Sequence, residues 1–268
     1  HRKHICEQLF TIMPALSVVI ITFNEEKNIG RCIDSVTAVA DEIIILDSYS
    51  TDKTIEIARS KGAVIHQQQF AGYGKQKNDA LQLCSHNLVL SLDADEMLDN
   101  VLVKEIIEEK RGGANDAYLM NRCTNYCGKF IRHGSWYPDR KIRLFNKTIA
   151  RWSKDMIHEK VEIPPGVKTK QLRGDILHYS FNSIEEHVAQ NNKFSSISAQ
   201  TLFANGKRTN LFKVIINPWW AFILSYILRR GFADGLFGFI VAVNISHLTF
   251  LKHTKLMTLQ RKNEQQEG

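Results

Sequence analysis

The chain has 268 residues, 44% hydrophobic and 24% charged, a balance that supports a buried core and excludes a disordered chain. Its formal charge of +7 is concentrated at one end: from Asn205 onward nine Lys and Arg face only Asp234, Glu264 and Glu267, and the rest is close to neutral. The sequence carries no nucleic-acid-binding motif, so that basic, apolar tail is expected to meet an anionic membrane surface and not nucleic acid. The five cysteines (Cys6, Cys32, Cys84, Cys123 and Cys127) are an odd number in a long chain, which predicts thiols in a reducing cytoplasm and no disulfide framework. His1 to Gln8 lacks the apolar stretch of a secretory signal.

Leu16-Ser-Val-Val-Ile-Ile21 is a short apolar run rich in β-branched residues, which predicts a strand buried on both faces. Asn24 is placed to cap the following helix, with Glu25 and Glu26 in its first turn and Ile29, Cys32, Ile33 and Val36 on its buried side. Glu42 to Asp47 predicts a second strand, Thr54 to Ser60 a second helix and Ala63 to His66 a third strand. The glycine-bearing loop Phe70-Ala-Gly-Tyr-Gly74 leads into a helix carrying Ala80, Leu81 and Cys84. Asn87 to Leu92 predicts a fourth strand ending at Asp93, and Met97 to Lys110 another helix. Ala117 to Thr124 and Arg140 to Phe145 are expected as strands around a loop with Gly128, Gly134, Trp136 and Pro138. Ser183-Ile-Glu-Glu186 is a capping box opening a long helix towards Phe203, with Gly206 as its stop.

In the tail, Pro218 to Leu228 is an apolar run of 11 residues, interrupted by Arg229 and Arg230. A second run, Phe232 to Phe250, contains Asp234, Asn244 and His247. The first run falls short of the ~20 residues a membrane span needs. The tail is therefore expected to lie at a membrane interface, with Trp219, Trp220 and the flanking cations as anchors. Helices packed on the rest of the chain, or in a dimer, are the competing reading.

Strands alternating with helices imply a parallel sheet whose ligands bind at the carboxyl ends of the strands. Thr22 to Glu25, Asp47 and Asp93 to Glu96 all fall there. Asp93-Ala-Asp95, behind a buried strand, places two carboxylates where both can approach one hard cation. Mg2+ or Mn2+ takes such oxygen ligands and bridges them to phosphate oxygens. Arg140, Lys141 and Arg143 are candidates to face a phosphate group, the competing reading being a solvated strand face.

Thr22-Phe-Asn-Glu25, Asp47 within Leu46-Asp-Ser-Tyr-Ser-Thr-Asp52, Lys77-Asn78 and Asp93-Ala-Asp95 follow the order and spacing of family 2 glycosyltransferases. Ahead of Ser183 the chain resembles that family, and within it the bacterial lipopolysaccharide-core β-1,4-glucosyltransferase branch. Arg140-Lys-Ile-Arg-Leu-Phe145, His158-Glu159 and the basic apolar tail agree with that branch. The resemblance implies an α/β GT-A fold, a mixed sheet flanked by helices, over residues 14–182, with a C-terminal helical, membrane-associating region over 183–268. It implies an inverting transfer of a hexose, glucose being expected, from a UDP-sugar to a lipid-linked glycan acceptor, at the cytoplasmic face of the inner membrane.

The resemblance also implies roles. Thr22 and Phe23 would hold the base, though tyrosine is frequent at Phe23 in the family and its hydroxyl is missing here. Glu25 would accept from ribose hydroxyls, and Asp47 from the uracil N3–H. Lys77, where the family often has arginine, would supply charge without a bidentate fork, beside Asn78. Asp93 would contact ribose or sugar and Asp95 the metal, with His178 a further metal or diphosphate ligand. Glu159 is the candidate general base, with Asp139 in Trp136-Tyr-Pro-Asp139 as the alternative.

Transfer to a polyprenyl phosphate is a competing enzyme reading, because an ionised acceptor needs no base. A nucleotidyltransferase is disfavoured by the missing glycine-rich basic loop, and a Rossmann dehydrogenase by the absence of G-x-G-x-x-G after Ile21. A non-catalytic nucleotide-sugar-binding module would lack a key carboxylate, whereas Asp47, Asp93, Asp95 and Glu159 are all present.

Overall fold

A computed structural model of the chain describes residues 13–112, 115–153 and 159–267. The chain divides into two units. One runs to Arg122 and resumes over Arg140–Leu177; the other comprises Cys123–Asp139 and His178–Gly268.

The first unit opens with the expected alternation: β1 (Leu16–Thr22), α1 (Ile29–Val36), β2 (Glu42–Asp47), α2 (Thr54–Ser60), β3 (Val64–Gln67), α3 (Tyr73–Leu83) and β4 (Leu88–Asp93). β1 is buried along its whole length, as a continuous apolar run flanked by two parallel neighbours requires. It pairs in parallel with β2 and β4, and β2 pairs in parallel with β3. β5 (Glu96–Leu98), α4 (Asn100–Gly112), β6 (Ala117–Tyr126), β7 (Lys129–Phe130), β8 (Asp139–Asn146), β9 (Arg151–Trp152), β10 (Val161–Glu162) and β11 (Thr169–Phe181) follow along the chain, β7 and the ends of β6, β8 and β11 belonging to the second unit. The sheet order is β3-β2-β1-β4-β8-β6-β11-β5, with β7 on β6, while β9 and β10 form a separate antiparallel pair. β8 is antiparallel to β4, so the sheet is mixed.

Alternation along the strands feeds two apolar layers. Val18 and Ile20 of β1 and Leu90 and Leu92 of β4 pack with Ile29, Cys32, Ile33 and Val36 of α1 and Leu102 and Ile106 of α4. Val19 and Ile21, with Ile44, Leu46 and Val89, pack with Ala80 and Leu81 of α3 and with Trp152.

Two local expectations are corrected. Asn24 does not cap α1, which starts at Ile29 with Asn28 before it. Asn24 instead takes a left-handed φ of 53°, which asparagine tolerates, and its Oδ1 accepts from Thr51 N at 2.8 Å. Met97 does not begin a helix. Glu96–Leu98 is a sheet strand, and α4 begins after Asp99, whose Oδ1 accepts from Leu102 N at 2.7 Å. β11 crosses here closely enough that a Cβ on Gly174 would lie 2.3 Å from Leu102 N, so only glycine fits at that crossing.

The second unit holds α5 (Ile184–Ala204), α6 (Leu211–Ile223) and α7 (Gly235–Glu267). The Ser183 cap is present, with Oγ accepting from Glu186 N at 3.2 Å, and Glu186 Oε2 accepts from Asn182 N in return. Asn210 caps α6, and the helix continues through a π turn over Leu224–Leu228. The apolar run is thus longer than the 11 residues read from Pro218, because Lys213 and Pro218 sit within the helix without ending it. By length and composition, Leu211–Leu228 and Gly231–Gln265 are long and apolar enough to cross a membrane.

Candidate active site

Strand register gathers the polar residues at one edge. Thr22 lies opposite Asp47, Asp47 opposite Gln67, and Ile21 opposite Asp93. Phe23 follows β1 and is 56% exposed, a ring free to meet a flat ligand. Glu25 N donates to Thr54 Oγ1 at 2.7 Å, and Glu25 Oε2 accepts from Asn28 at 2.6 Å. Asp47 is fully buried; its Oδ1 accepts from Ser50 Oγ at 2.5 Å, and its Oδ2 from Ser50 N at 2.9 Å and Gln67 Nε2 at 3.0 Å. Asp47 therefore shapes the loop after β2 directly. Beside it, Gln76 Nε2 donates to Ser48 Oγ at 3.1 Å. Thr22 Oγ1 and Gln76 Oε1 are buried without a hydrogen-bond partner, polar capacity that an incoming ligand could satisfy.

The centre of the site is an ionic cluster. Lys77 on α3 is 1% exposed, and its Nζ lies 3.0 Å from Asp93 Oδ1 and 3.0 Å from Glu159 Oε1. Arg143 on β8 is also buried; its Nη2 reaches Glu96 at 2.7 Å and Asp93 at 3.1 Å. The Trp152 ring carries both cations, Lys77 Nζ 4.4 Å and Arg143 Cζ 5.0 Å from its centroid, a desolvated cation–π arrangement. Asn78 fixes this wall: its Nδ2 donates to Trp152 O at 2.9 Å and its Oδ1 accepts from Trp152 N at 3.0 Å. Both ends of the Asn78 amide are committed to β9.

The electrostatics follow the geometry. Burial alone would lower the Arg143 pKa, but Glu96 and then Asp93 outweigh it and raise it. Burial first, then the field of Glu96, Asp95, Asp93 and Glu25, pushes the Cys32 thiol well up. Burial and then Asp93, Glu159 and Asp95 raise the Tyr73 hydroxyl. These neighbours mark one acidic locus at the end of β4.

Asp93, Asp95, Glu96 and Glu159 lie at that locus together with Lys77, Arg122 and Arg143. Hard carboxylate oxygens fit Mg2+ or Mn2+ chemically. Among the described residues no three His, Cys, Asp or Glu side chains group as a complete metal site.

The structure brings together Lys77, Asp93 and Glu159. Asp139 and His178 belong to the second unit, where the His178 ring lies 2.6 Å from Ser180 Oγ. His158 lies outside the described residues. Sequence reasoning assigned no role to Glu96, Gln76 or Trp152. Glu96 directly followed Asp95 in the motif, and the signal that could have selected it was its apolar setting; Trp152 had no motif to mark it.

A mixed sheet whose parallel strand ends present an acidic motif beside a buried cation cluster is the arrangement of the GT-A fold. The model of the glycosyl transferase family 2 matches residues 17–166, and the chain belongs to that family. It is a glycosyltransferase. An uncharacterized glycosyltransferase of Rickettsia typhi is 33% identical over 261 residues, covering 94% of this chain and 89% of that protein. The lipopolysaccharide core biosynthesis glycosyltransferase LpsC of Rhizobium meliloti is 30% identical over 249 residues, 90% of this chain and 91% of that protein. Among solved structures, glucosyl-3-phosphoglycerate synthase of Mycobacterium tuberculosis, crystallised with Mn2+, UDP and glucosyl-3-phosphoglycerate, is 26% identical, with a TM-score of 0.34 over 42% of this chain and 44% of that one.

Proposed function

We propose that the chain moves a hexose, glucose being the expected sugar, from a UDP-sugar to a lipid-linked glycan such as a lipopolysaccharide core, with inversion at the anomeric carbon. The observation that carries this reading is the Lys77 bridge, which holds Glu159 beside the Asp93 end of β4 at 3.0 Å on each side. The acceptor hydroxyl attacks the anomeric carbon while the diphosphate leaves from the opposite face. Glu159 takes the hydroxyl proton, which requires a positioned carboxylate near the acceptor; Asp139 is the alternative. A divalent cation held by Asp95 would neutralise charge on the departing diphosphate. Thr22, Phe23, Glu25 and Asp47 form the nucleoside end of the site. Lys77 has three N–H donors; two serve Asp93 and Glu159, which leaves one for a diphosphate oxygen. The similarity to LpsC supports the acceptor class.

The membrane surface enters through α6. Leu211, Phe212, Ile215, Trp219, Trp220, Ile227 and Leu228 are exposed, and Arg208, Lys213, Arg229 and Arg230 flank them. Both ends of the α6–α7 pair are bonded to polar parts of the same unit: Arg229 O accepts from Gly134 N at one end, and Gln260 Oε1 accepts from Thr209 N at the other. A spanning helix would carry one of these polar ends across the bilayer, whereas a helix lying in the interface keeps both in water. This favours a peripheral protein on the cytoplasmic face.

The test is transfer by the full chain from UDP-glucose to a core glycolipid with Mg2+ or Mn2+, comparing wild type with Glu159→Gln. Loss of a general base lowers turnover by about 10²–10⁴-fold. Unchanged turnover with a polyprenyl phosphate in place of the glycan would replace this reading with the ionised-acceptor one.

A further inference from the structure

The turn after β4 is held by its own last residue. Glu96 is fully buried, although it follows Asp95, which is only half-buried. Glu96 Oε2 accepts from Asp93 N at 3.1 Å, so the side chain folds back to the start of Asp93-Ala-Asp95. Its Oε1 takes Arg143 Nη2 at 2.7 Å and lies 3.6 Å from Arg122 Nη1. Arg143 Nη2 in turn reaches Asp93 Oδ2 at 3.1 Å. Glu96 thus grips Asp93 twice, at the amide directly and at the carboxylate through Arg143.

Helix α1 secures the rest of the turn. Cys32 Sγ donates to Asp93 O at 3.8 Å. Ser35 Oγ accepts from Leu98 N at 3.1 Å and donates to Cys32 O at 2.7 Å. From α3, Lys77 Nζ holds Asp93 Oδ1 at 3.0 Å. Ala94, between the two aspartates, is buried. Asp95 therefore stands between fixed residues on both sides, and all of these contacts lie within the first unit.

A buried carboxylate is costly unless it is paired, and a buried ion pair is often no more stabilising than apolar residues of the same volume. Stability alone therefore gives this position no need of an acid. What an apolar side chain lacks is an acceptor for Asp93 N, and with it a fixed path for the two residues between Asp93 and Glu96. We infer that Glu96 is a positioning residue: by closing the turn from Asp93 to Glu96 on itself, it sets where the Asp95 carboxylate stands. This rests on the proposed reading of Asp95 as the metal ligand. It gives Glu96 a part in metal-dependent nucleotide binding, exerted through its two neighbours.

The experiment uses full-length protein with Glu96→Met, Glu96→Gln as the conservative variant, and the double change Glu96→Met with Arg143→Met. Amide hydrogen exchange at Asp93 is read against Leu90 and Leu92 of the same strand, and UDP binding is measured by calorimetry with and without Mn2+. Loss of the buried acceptor in Glu96→Met predicts exchange that quickens at Asp93 more than at Leu90 or Leu92. It also predicts an Mn2+-dependent gain in UDP affinity smaller by about fivefold to a hundredfold, with a lesser fall in UDP affinity without the ion. Glu96→Gln is expected to recover part of that gain, because its amide oxygen can still accept from Asp93 N. In the double variant Arg143 no longer leaves an orphaned charge, so the unfolding midpoint recovers while the Mn2+-dependent gain stays low. If Glu96→Met does not fold, Glu96→Gln and the double variant carry the test. Exchange that is unchanged at Asp93, or that rises equally along β4, overturns the anchoring role. A gain that recovers together with the midpoint in the double variant, or UDP affinities that fall equally with and without Mn2+, overturns the positioning role. A wild-type chain whose UDP affinity ignores Mn2+ refutes the metal reading instead, and leaves the exchange at Asp93 to judge the anchor.

Discussion

Lys77 and Glu159 are 82 positions apart in the chain and meet at 3.0 Å. The same ammonium holds Asp93 at the end of β4, so one buried cation ties the acidic motif to the candidate base. Lys77→Met would leave two carboxylates facing each other with no cation between them. We expect at least a hundredfold loss in kcat/KM, about 3 kcal/mol of transition-state stabilisation, while Lys77→Arg retains part of the activity because it keeps the charge. Steady-state kinetics of the three proteins at saturating metal check this.

Asp95 sits in the turn after β4, within the acidic locus. Asp95→Asn is expected to remove metal-dependent turnover and to weaken UDP binding in the presence of Mn2+ but not in its absence. Calorimetry with and without the ion reads both. Wild-type turnover that persists in a chelator would overturn the metal assignment.

Arg143 and Glu96 are paired at 2.7 Å with both side chains buried. Removing one partner of a buried pair leaves an uncompensated charge, and Arg143→Met is expected to cost about 3–5 kcal/mol of stability. The midpoint of denaturant unfolding should fall accordingly. A double change to Met at both positions should recover much of that loss, because the orphaned carboxylate is gone.

The two layers of the first unit were legible because the strands and helices announce themselves by period. β1 is an unbroken apolar run, and Ile29, Cys32, Ile33 and Val36 recur at helical spacing. The ends of β1, β2 and β4 carried the polar motifs, and the register confirms that those ends align. What was not legible depends on distant pairing. Glu96-Met-Leu98 is too short to show alternation, and it becomes a strand because β11 passes beside it. Trp152 lies in a two-residue strand, and its meaning comes from Lys77 and Arg143 on its ring. Asp234 looked like an interruption in an apolar run; the His133 N–H it accepts from is 101 positions away. No local pattern marks such a contact.

His187 in α5 is buried, and desolvation lowers its pKa to about 4 from 6.5. Its Nδ1 lies 3.1 Å from Tyr126 Oη. The folded state therefore binds fewer protons than the unfolded state between these values. Stability is full above pH 6.5 and falls as pH drops towards 4. His187→Gln should flatten that part of the profile, measured by thermal midpoints from pH 7 to 4. An equally steep profile in the variant would assign the titration to other groups.

Trp219 is 63% exposed on α6, with Trp220 beside it. Changing both to Gln should lower sedimentation with vesicles containing anionic lipid, while turnover on a detergent-dispersed acceptor is retained. Substitution is a cleaner probe than removal of the tail, since truncation would also strip the acceptors of residues 132–135. Unchanged vesicle binding would contradict the interfacial role of α6.

The most direct measurement is acceptor-dependent nucleotide release from a panel of nucleotide sugars, by wild type and by Glu159→Gln. The account predicts UDP release from a UDP-hexose that rises with added core glycolipid and falls about 10²–10⁴-fold in the variant. Turnover confined to a non-uridine donor, or a Glu159→Gln enzyme as fast as wild type on the glycan acceptor, would contradict it.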